Sequence, residues 1–381
     1  MSMPRSRRTN LKEMSRSDDF LPHLRALMVT QKVDLDDDVL GFTHTWVNKL
    51  AERVAWLHVL ALSVGRCELH DNVTLYSMGR EQGASRLRCF VNFNRVAAPL
   101  VLRPQVDVVF VHMCPIYAVL AAPWAKLVGV PVVMWYSHAH VSTTLRLAHA
   151  VSTRVLTASP KSYSLDGEKV RVMGHGIDVC AFHPAESRPQ SSRLRVLTVG
   201  RISPVKDYVT LVEATNRLVN EMGRDVELQI VGAAPTQEAR AYFNELRAQV
   251  AAYGLQDRVM FVGSVPNWEV PRYYRQANIF VNMQAKGGVG KAVLEAMACG
   301  LPCVLCTPAF NEQLGDFVPE VVFQERDAGD LVQKLVNVLD MRPERRRELS
   351  RLVRCIAEQH SVDHLMEQMV ALFATCAQGG R

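Results

Sequence analysis

The chain has 381 residues, 48% of them hydrophobic and 22% charged. That is long enough for two α/β domains, and the composition is that of an ordinary globular protein, which excludes a mainly disordered chain. Its 44 basic and 38 acidic side chains leave a net charge of +6, which suits anionic ligands or an acidic membrane surface without calling for nucleic acid.

In chain order, residues 1–20 are polar and basic with no apolar h-region, so they read as a disordered basic arm rather than a secretory signal. Apolar runs at 25–31, 72–78, 106–112, 131–137, 154–158 and 169–174 read as strands of a first domain, 21–182. A helix is expected over 43–62, where Trp46, Val47, Leu50, Val54 and Leu57 recur at helical spacing. The apolar stretch 118–136 is too interrupted to span a bilayer, because Gly129 and Pro131 divide it into a helix and a strand. A polar, proline-containing seam follows near 180–192. The second domain, 190–358, carries strands at 195–200, 226–232, 258–264, 278–283, 302–306 and 321–323, with helical segments between them. This alternation predicts two doubly wound domains with parallel sheets.

The arginine-rich segment 342–354 reads as a solvated helix face, with a peripheral membrane patch as the alternative. A final helix over 361–377 places apolar residues at 362, 365, 366, 369, 373 and 376, and so needs a partner surface. Nine scattered cysteines suit a reducing, cytoplasmic compartment. Cys299, Cys303 and Cys306 have iron–sulfur spacing, but the last two lie three apart in a strand, so the thiolates would not converge.

The most informative segment is AKGGVGKAVLEAMACGLPC, residues 285–303. It follows the strand NIFVNM and runs from glycines into a helix. Backbone N–H groups, a helix N-terminus and close approach at glycine together make an anion site. Gly287, Gly288, Val289, Gly290 and Lys291 would line it. A second loop, after the strand RVLTVG, carries Arg201 and Lys206 at the strand edge where open α/β sheets bind ligands.

Two family resemblances compete for these residues. KGGVGK resembles the deviant P-loop of the MinD/ParA ATPases, but Ala292 stands where that motif has a Mg²⁺-binding Ser or Thr. Glu295 within LEAMACGLP (294–302) resembles the donor signature of retaining glycosyltransferases of family 4, which have the GT-B fold. The VGR…K segment and GHGIDVCAFHP (174–184) are similar to that family's strings in the same order. The resemblance covers nearly the whole chain after residue 20.

This second resemblance implies two Rossmann-like domains, with the segment 359–381 crossing back onto the first. It implies a nucleoside diphosphate sugar as donor substrate, no cofactor, and no metal at Asp36, Asp37 and Asp38 or elsewhere. Arg201 and Lys206 would clamp the diphosphate, Glu295 would bind the ribose hydroxyls, and His138 would stand near the donor sugar, with His140 a weaker candidate. Gly41 matches the first of the family's paired glycines; Phe42 departs from the second. Gly287 stands where the family often has a first glutamate, eight residues before Glu295. The implied reaction is hexosyl transfer with retention to an alcohol acceptor, a glycan or a lipid-linked one, in the cytoplasm or at the inner face of the membrane. A catalytically silent sugar-nucleotide-binding protein and, less favoured, an ATPase are the alternatives.

Overall fold

The computed structural model describes residues 23–103, 105–186, 193–285 and 289–379; the arm 1–20, Gly287 and Gly288 lie outside them. The chain divides into two compact units. The first holds the residues up to Asp34, Phe42–Met173 and the chain from Asp363 onward; the second holds Leu35–Gly41 and Gly174–Val362.

In the first unit the described strands are β1 (Arg25–Val33), β2 (Trp56–Val64), β3 (Val73–Ser77), β4 (Val108–His112), β5 (Val132–Trp135), β6 (Arg154–Thr157) and β7 (Val170–Val172). They form one sheet in the order β3-β2-β1-β4-β5-β6-β7, and every pairing is parallel. Such a sheet is covered on both faces, and so β4, VVFVH, is buried at all five positions. Asp107 ties the starts of β1 and β4 together. It is almost fully buried and accepts from the Arg25 backbone N–H at 2.9 Å and from its guanidinium at 3.3 Å.

The helix expected over 43–62 is shorter, because part of it is a strand. Phe42–Ala51 is helical, the chain then turns, and Trp56–Val64 becomes β2 between β1 and β3. Leu57, Val59, Leu60 and Ala61 are all buried, so both faces of β2 are apolar. A strand of that kind shows no alternation to distinguish it from a helix. The strand expected at 321–323 is also absent. Val318–Val321 is a helical turn, and Val322 meets Leu305 in a single bridge.

The second unit is a five-stranded parallel sheet. Its strands are β8 (Leu194–Val199), β9 (Val226–Val231), β10 (Val259–Gly263), β11 (Ile279–Asn282) and β12 (Cys303–Leu305), in the order β10-β9-β8-β11-β12. The sequence seam at 180–192 falls inside the Gly174–Val362 segment of this unit, and Ile177 and Phe182 bury into its core. At the ends of β8 and β9 the backbones nearly touch. A Cβ on Gly232 (φ 145°) would stand 2.1 Å from the Gly200 carbonyl oxygen, so only glycine fits.

Among the described residues no helix is long and apolar enough to cross a membrane. The stretch 118–136 is shared between the helix Pro115–Val128, ended by left-handed Gly129, and β5. The helix Val362–Gly379 belongs to the first unit from Asp363 onward. Phe373 is fully buried with its ring 5.3 Å from that of Phe110 in β4, and Asp363 meets Arg53 at 2.8 Å and Lys49 at 3.2 Å. Phe373→Ala should therefore destabilise the first unit by about 3–5 kcal/mol, read by urea unfolding. An unchanged midpoint would mean that the helix is not part of this core.

Candidate active site

In the second unit the strand order reverses between β8 and β11, which are hydrogen-bonded neighbours. Connections on either side of such a point leave in opposite directions and open a crevice at the carboxyl ends of the strands. The loop after β8 brings Arg201 and Lys206 to this edge, and the loop after β11 leads to the helix Lys291–Ala298. The two loops are joined: the Lys206 amine donates to Gln284 Oε1 at 2.8 Å.

Burial and the neighbouring guanidinium of Arg201 pull the Lys206 amine below its ordinary range. Two cations held close together repel each other, and an anion between them would relieve both burial and repulsion. The turn that sets them ends at Asp207, whose positive φ of 45° caps the helix Tyr208–Asn216.

The helix Lys291–Ala298 begins at Gly290, with no side chain capping its first N–H groups. Such groups and the helix dipole favour negative charge. Lys291 and Glu295 lie one turn apart on the same helix, a spacing at which side chains meet. Glu295 is buried at 8% exposure, and Oε2 accepts from the Tyr274 hydroxyl at 3.1 Å. That hydroxyl also lies 3.1 Å from the Ala292 carbonyl oxygen. Burial raises the Glu295 carboxyl, and the lysine charge and Tyr274 oppose the rise. Burial lowers the Lys291 amine, and Glu295 opposes the fall.

Behind Lys291 lies an imidazole pair. His175 is buried, and its ring centroid is 6.1 Å from that of His360. Neither His175 Nε2 nor His360 Nδ1 has a hydrogen-bond partner among the described residues. Burial, reinforced by Lys291 and His360, pushes His175 down to about 3. Beside the Arg201 loop a cavity of about 180 Å³ opens, lined by Gly200, Gly232, Ala233, Ser264 and Val265 among others.

Comparison with known proteins bears on this edge. Residues 181–352 match the model of the glycosyl transferases group 1. Over those residues, somewhat less than half of the chain, it is similar to that family. The D-inositol 3-phosphate glycosyltransferase of Jonesia denitrificans is 26% identical over 269 residues, 66% of this chain and 60% of that protein. The lipopolysaccharide core biosynthesis mannosyltransferase LpcC of Rhizobium leguminosarum bv. viciae is 30% identical over 151 residues, 38% of this chain and 42% of its own. The chain thus spans between about a third and 60% of the length of these and other curated relatives. Among solved structures, Anabaena Alr3699/HepE in complex with UDP superposes with a TM-score of 0.71 at 18% identity, over 92% of this chain and all of that one. The fold is that of the GT-B glycosyltransferases.

The residues expected from the sequence fall as follows. Arg201, Lys206, Gly290, Lys291 and Glu295 stand at the switch-point edge of the second unit, with Val289 partly buried just before the helix. Gly41 groups with the second unit, and a Cβ there would lie 2.5 Å from the Asp37 carbonyl oxygen. His138 lies in the first unit, exposed on the loop after β5, with Nδ1 accepting from the His140 N–H at 3.0 Å. Phe42 packs its ring against Trp46 and His112.

The Asp36–Asp38 triplet is engaged in local bonds. Asp37 Oδ1 accepts from the N–H groups of Val39 and Leu40, Asp36 accepts from Trp268, and Asp38 accepts from Ser264. No three metal-ligating side chains gather among the described residues, and Cys299, Cys303 and Cys306 are buried and not in disulfides.

Residues that sequence reasoning missed support this site. Tyr274, Gln284, His175 and His360 acquire their roles only when separate segments meet, and no spacing announces them. The arginine-rich segment is also less solvated than expected. Arg354 donates to the carbonyls of Val179 and Phe182, and Arg346 to those of Val338 and Asn278.

The His175 shift has a measurable sign. The unfolded chain takes a proton near 6.5 that the folded chain refuses until about 3, so the unfolded state binds more protons across that window. Stability should fall as pH drops through it, with His175 alone contributing a loss of about 2 kcal/mol between pH 7 and 5. In His175→Leu this slope should flatten, whatever the change in absolute stability. An unchanged slope would mean that His175 is not the titrating group.

Proposed function

We propose that the chain transfers a hexosyl group from a nucleoside diphosphate sugar to an alcohol acceptor, with retention of configuration and without a metal. The observation that carries this reading is the meeting of two cation-bearing loops on adjacent strands at the switch point, joined by the Lys206–Gln284 bond. The difficult step is departure of the nucleoside diphosphate, on which negative charge grows. Arg201, Lys206 and the start of the helix at Lys291 are fixed in advance where that charge would develop, and such groups need no reorganisation during reaction.

The remaining features fit the donor. Tyr274 engages Glu295 Oε2, so Oε1 is the oxygen offered to a ribose hydroxyl. The cavity beside Gly200 and Gly232 presents backbone to a planar base. UDP and UDP-glucose occupy crystals of the Anabaena relative, which supports a nucleotide sugar here. We assign His138 to the sugar on resemblance to the family. The acceptor hydroxyl attacks from the face the leaving group departs, and its proton passes to the departing diphosphate, so no protein nucleophile is required. Burial lowers the Lys291 amine, and the charge of a diphosphate would favour its protonated form.

Thermal shifts with UDP, GDP, ADP and ATP, each with and without Mg²⁺, test the donor site, because a ligand that binds the folded state raises the midpoint by mass action. UDP or GDP should stabilise the chain equally in EDTA. Stabilisation by ATP with Mg²⁺ alone would return the site to the ATPase reading. Lys206→Ala should lower transfer on the order of 10²-fold with the unfolding midpoint little changed. Undiminished transfer in that variant would remove the diphosphate clamp from the mechanism.

A further inference from the structure

The first unit carries a cavity that the donor chemistry leaves unused. It measures about 340 Å³, and its walls are Leu62, Phe90, Ile116, Tyr117 and Leu120, with Arg80 and Arg86 also lining it. Leu62 lies near the end of β2, Arg80 in the turn after β3, and Ile116 and Tyr117 at the start of the helix after β4. The cavity therefore opens at the carboxyl edge of the sheet, where α/β units take ligands.

Its charges are uncompensated. Among the described residues no carboxylate pairs with Arg80, Arg86, Arg88 or Arg95, and all four are exposed. Arg80 spends one N–H on the Ala84 carbonyl at 2.9 Å. Its sequence neighbour Glu81 is turned to Ser77 and to the Val64 N–H.

A second observation concerns the helix that forms one wall, Arg86–Leu102. Ser85 caps it, and Cys89, Phe93, Ala97 and Leu100 bury its inner face. Its outer face is not polar. Leu87 is 72%, Phe90 43% and Val91 53% exposed, and Ile116 beside them is 47% exposed. Exposed apolar side chains flanked by unpaired arginines on one helix are the composition of a surface that lies in an anionic membrane interface.

The chemistry selects the occupant. A free sugar would bring hydroxyls to apolar walls that cannot satisfy them. A hydrocarbon chain gains from those same walls, and a phosphate gains from the two guanidinium groups. We propose that this cavity receives the hydrocarbon chain of a phosphate-bearing lipid, with Arg80 and Arg86 on the phosphate and Leu87 and Val91 in the membrane surface. This binding does not depend on the transfer reaction proposed above.

Calorimetric titration below the micellar concentration tests the binding directly, with octyl phosphate, hexyl phosphate, octyl glucoside and inorganic phosphate as probes. Octyl phosphate should bind, and hexyl phosphate about fifteenfold more weakly, because each buried methylene adds a factor of about four. Octyl glucoside and inorganic phosphate should each bind at least about tenfold more weakly than octyl phosphate, since each lacks one of the two recognised parts. Arg86→Glu and Ile116→Trp both alter exposed positions, so the fold should stand. Each should weaken octyl phosphate about tenfold and leave the UDP thermal shift unchanged.

Vesicles containing phosphatidylglycerol should capture the chain, vesicles of phosphatidylcholine alone should not, and Leu87→Asp should release it. Equal binding of octyl glucoside, equal binding of inorganic phosphate, or indifference to both cavity variants would each overturn the proposal. A lost UDP shift with octyl phosphate still bound would instead count against the donor reading and leave the lipid site standing.

Discussion

The reversal of strand order between β8 and β11 is the constraint on which the site depends. Parallel strands need crossover connections of one hand, so a sheet that grows outward from a central pair must send its loops apart at that pair. The loop after β8 and the loop after β11 are far apart in sequence, yet they leave adjacent strands at the same edge. Gly232 keeps this edge narrow, because its missing Cβ lets the β9 backbone close on Gly200. Arg201, Lys206 and the start of the 291–298 helix then converge without any further device, and the Lys206–Gln284 bond fixes their spacing.

Such convergence opposes stability. Lys206 is crowded by Arg201, Lys291 is desolvated, and Glu295 is buried with a tyrosine for company. Burying charge is costly unless it is paired, and here the pairing is partial: Glu295 offsets Lys291, and Tyr274 supports Glu295. Neutral His175 beside Lys291 adds no charge to the cluster but leaves a buried ring nitrogen without a partner among the described residues. Sites whose groups are strained in this way in the free protein are disposed to bind an oppositely charged ligand.

Much of the fold was legible from periodicity and run length. β1, β3–β12 and the final helix stand near where the apolar patterns put them, because each run is bounded by glycine, proline or polar residues. β2 was not, because it is buried on both faces and its tail continues the spacing of the helix before it. The extra strand at 321–323 failed for the opposite reason: its composition suits a strand, but only Val322 finds a bridge partner. The helix after the glycine-rich loop was legible because its apolar run follows a strand and a glycine-rich break. Tyr274 and Gln284 were not, since each works through a contact between segments that the linear sequence separates. Arg354 shows the same limit. A helix rich in charge reads as solvated, yet this guanidinium holds the carbonyls of Val179 and Phe182 together.

The two lowered lysines carry an energetic consequence for an anionic ligand. Desolvation and neighbouring positive charge make the charged amines costly in the free protein. A diphosphate that enters between Arg201, Lys206 and Lys291 offsets that cost, because its negative charge favours the charged form of each amine. The offset grows with the charge on the ligand, so it is larger for a leaving group on which negative charge is developing than for the intact donor. An interaction that strengthens along the reaction in this way accelerates it rather than merely tightening binding.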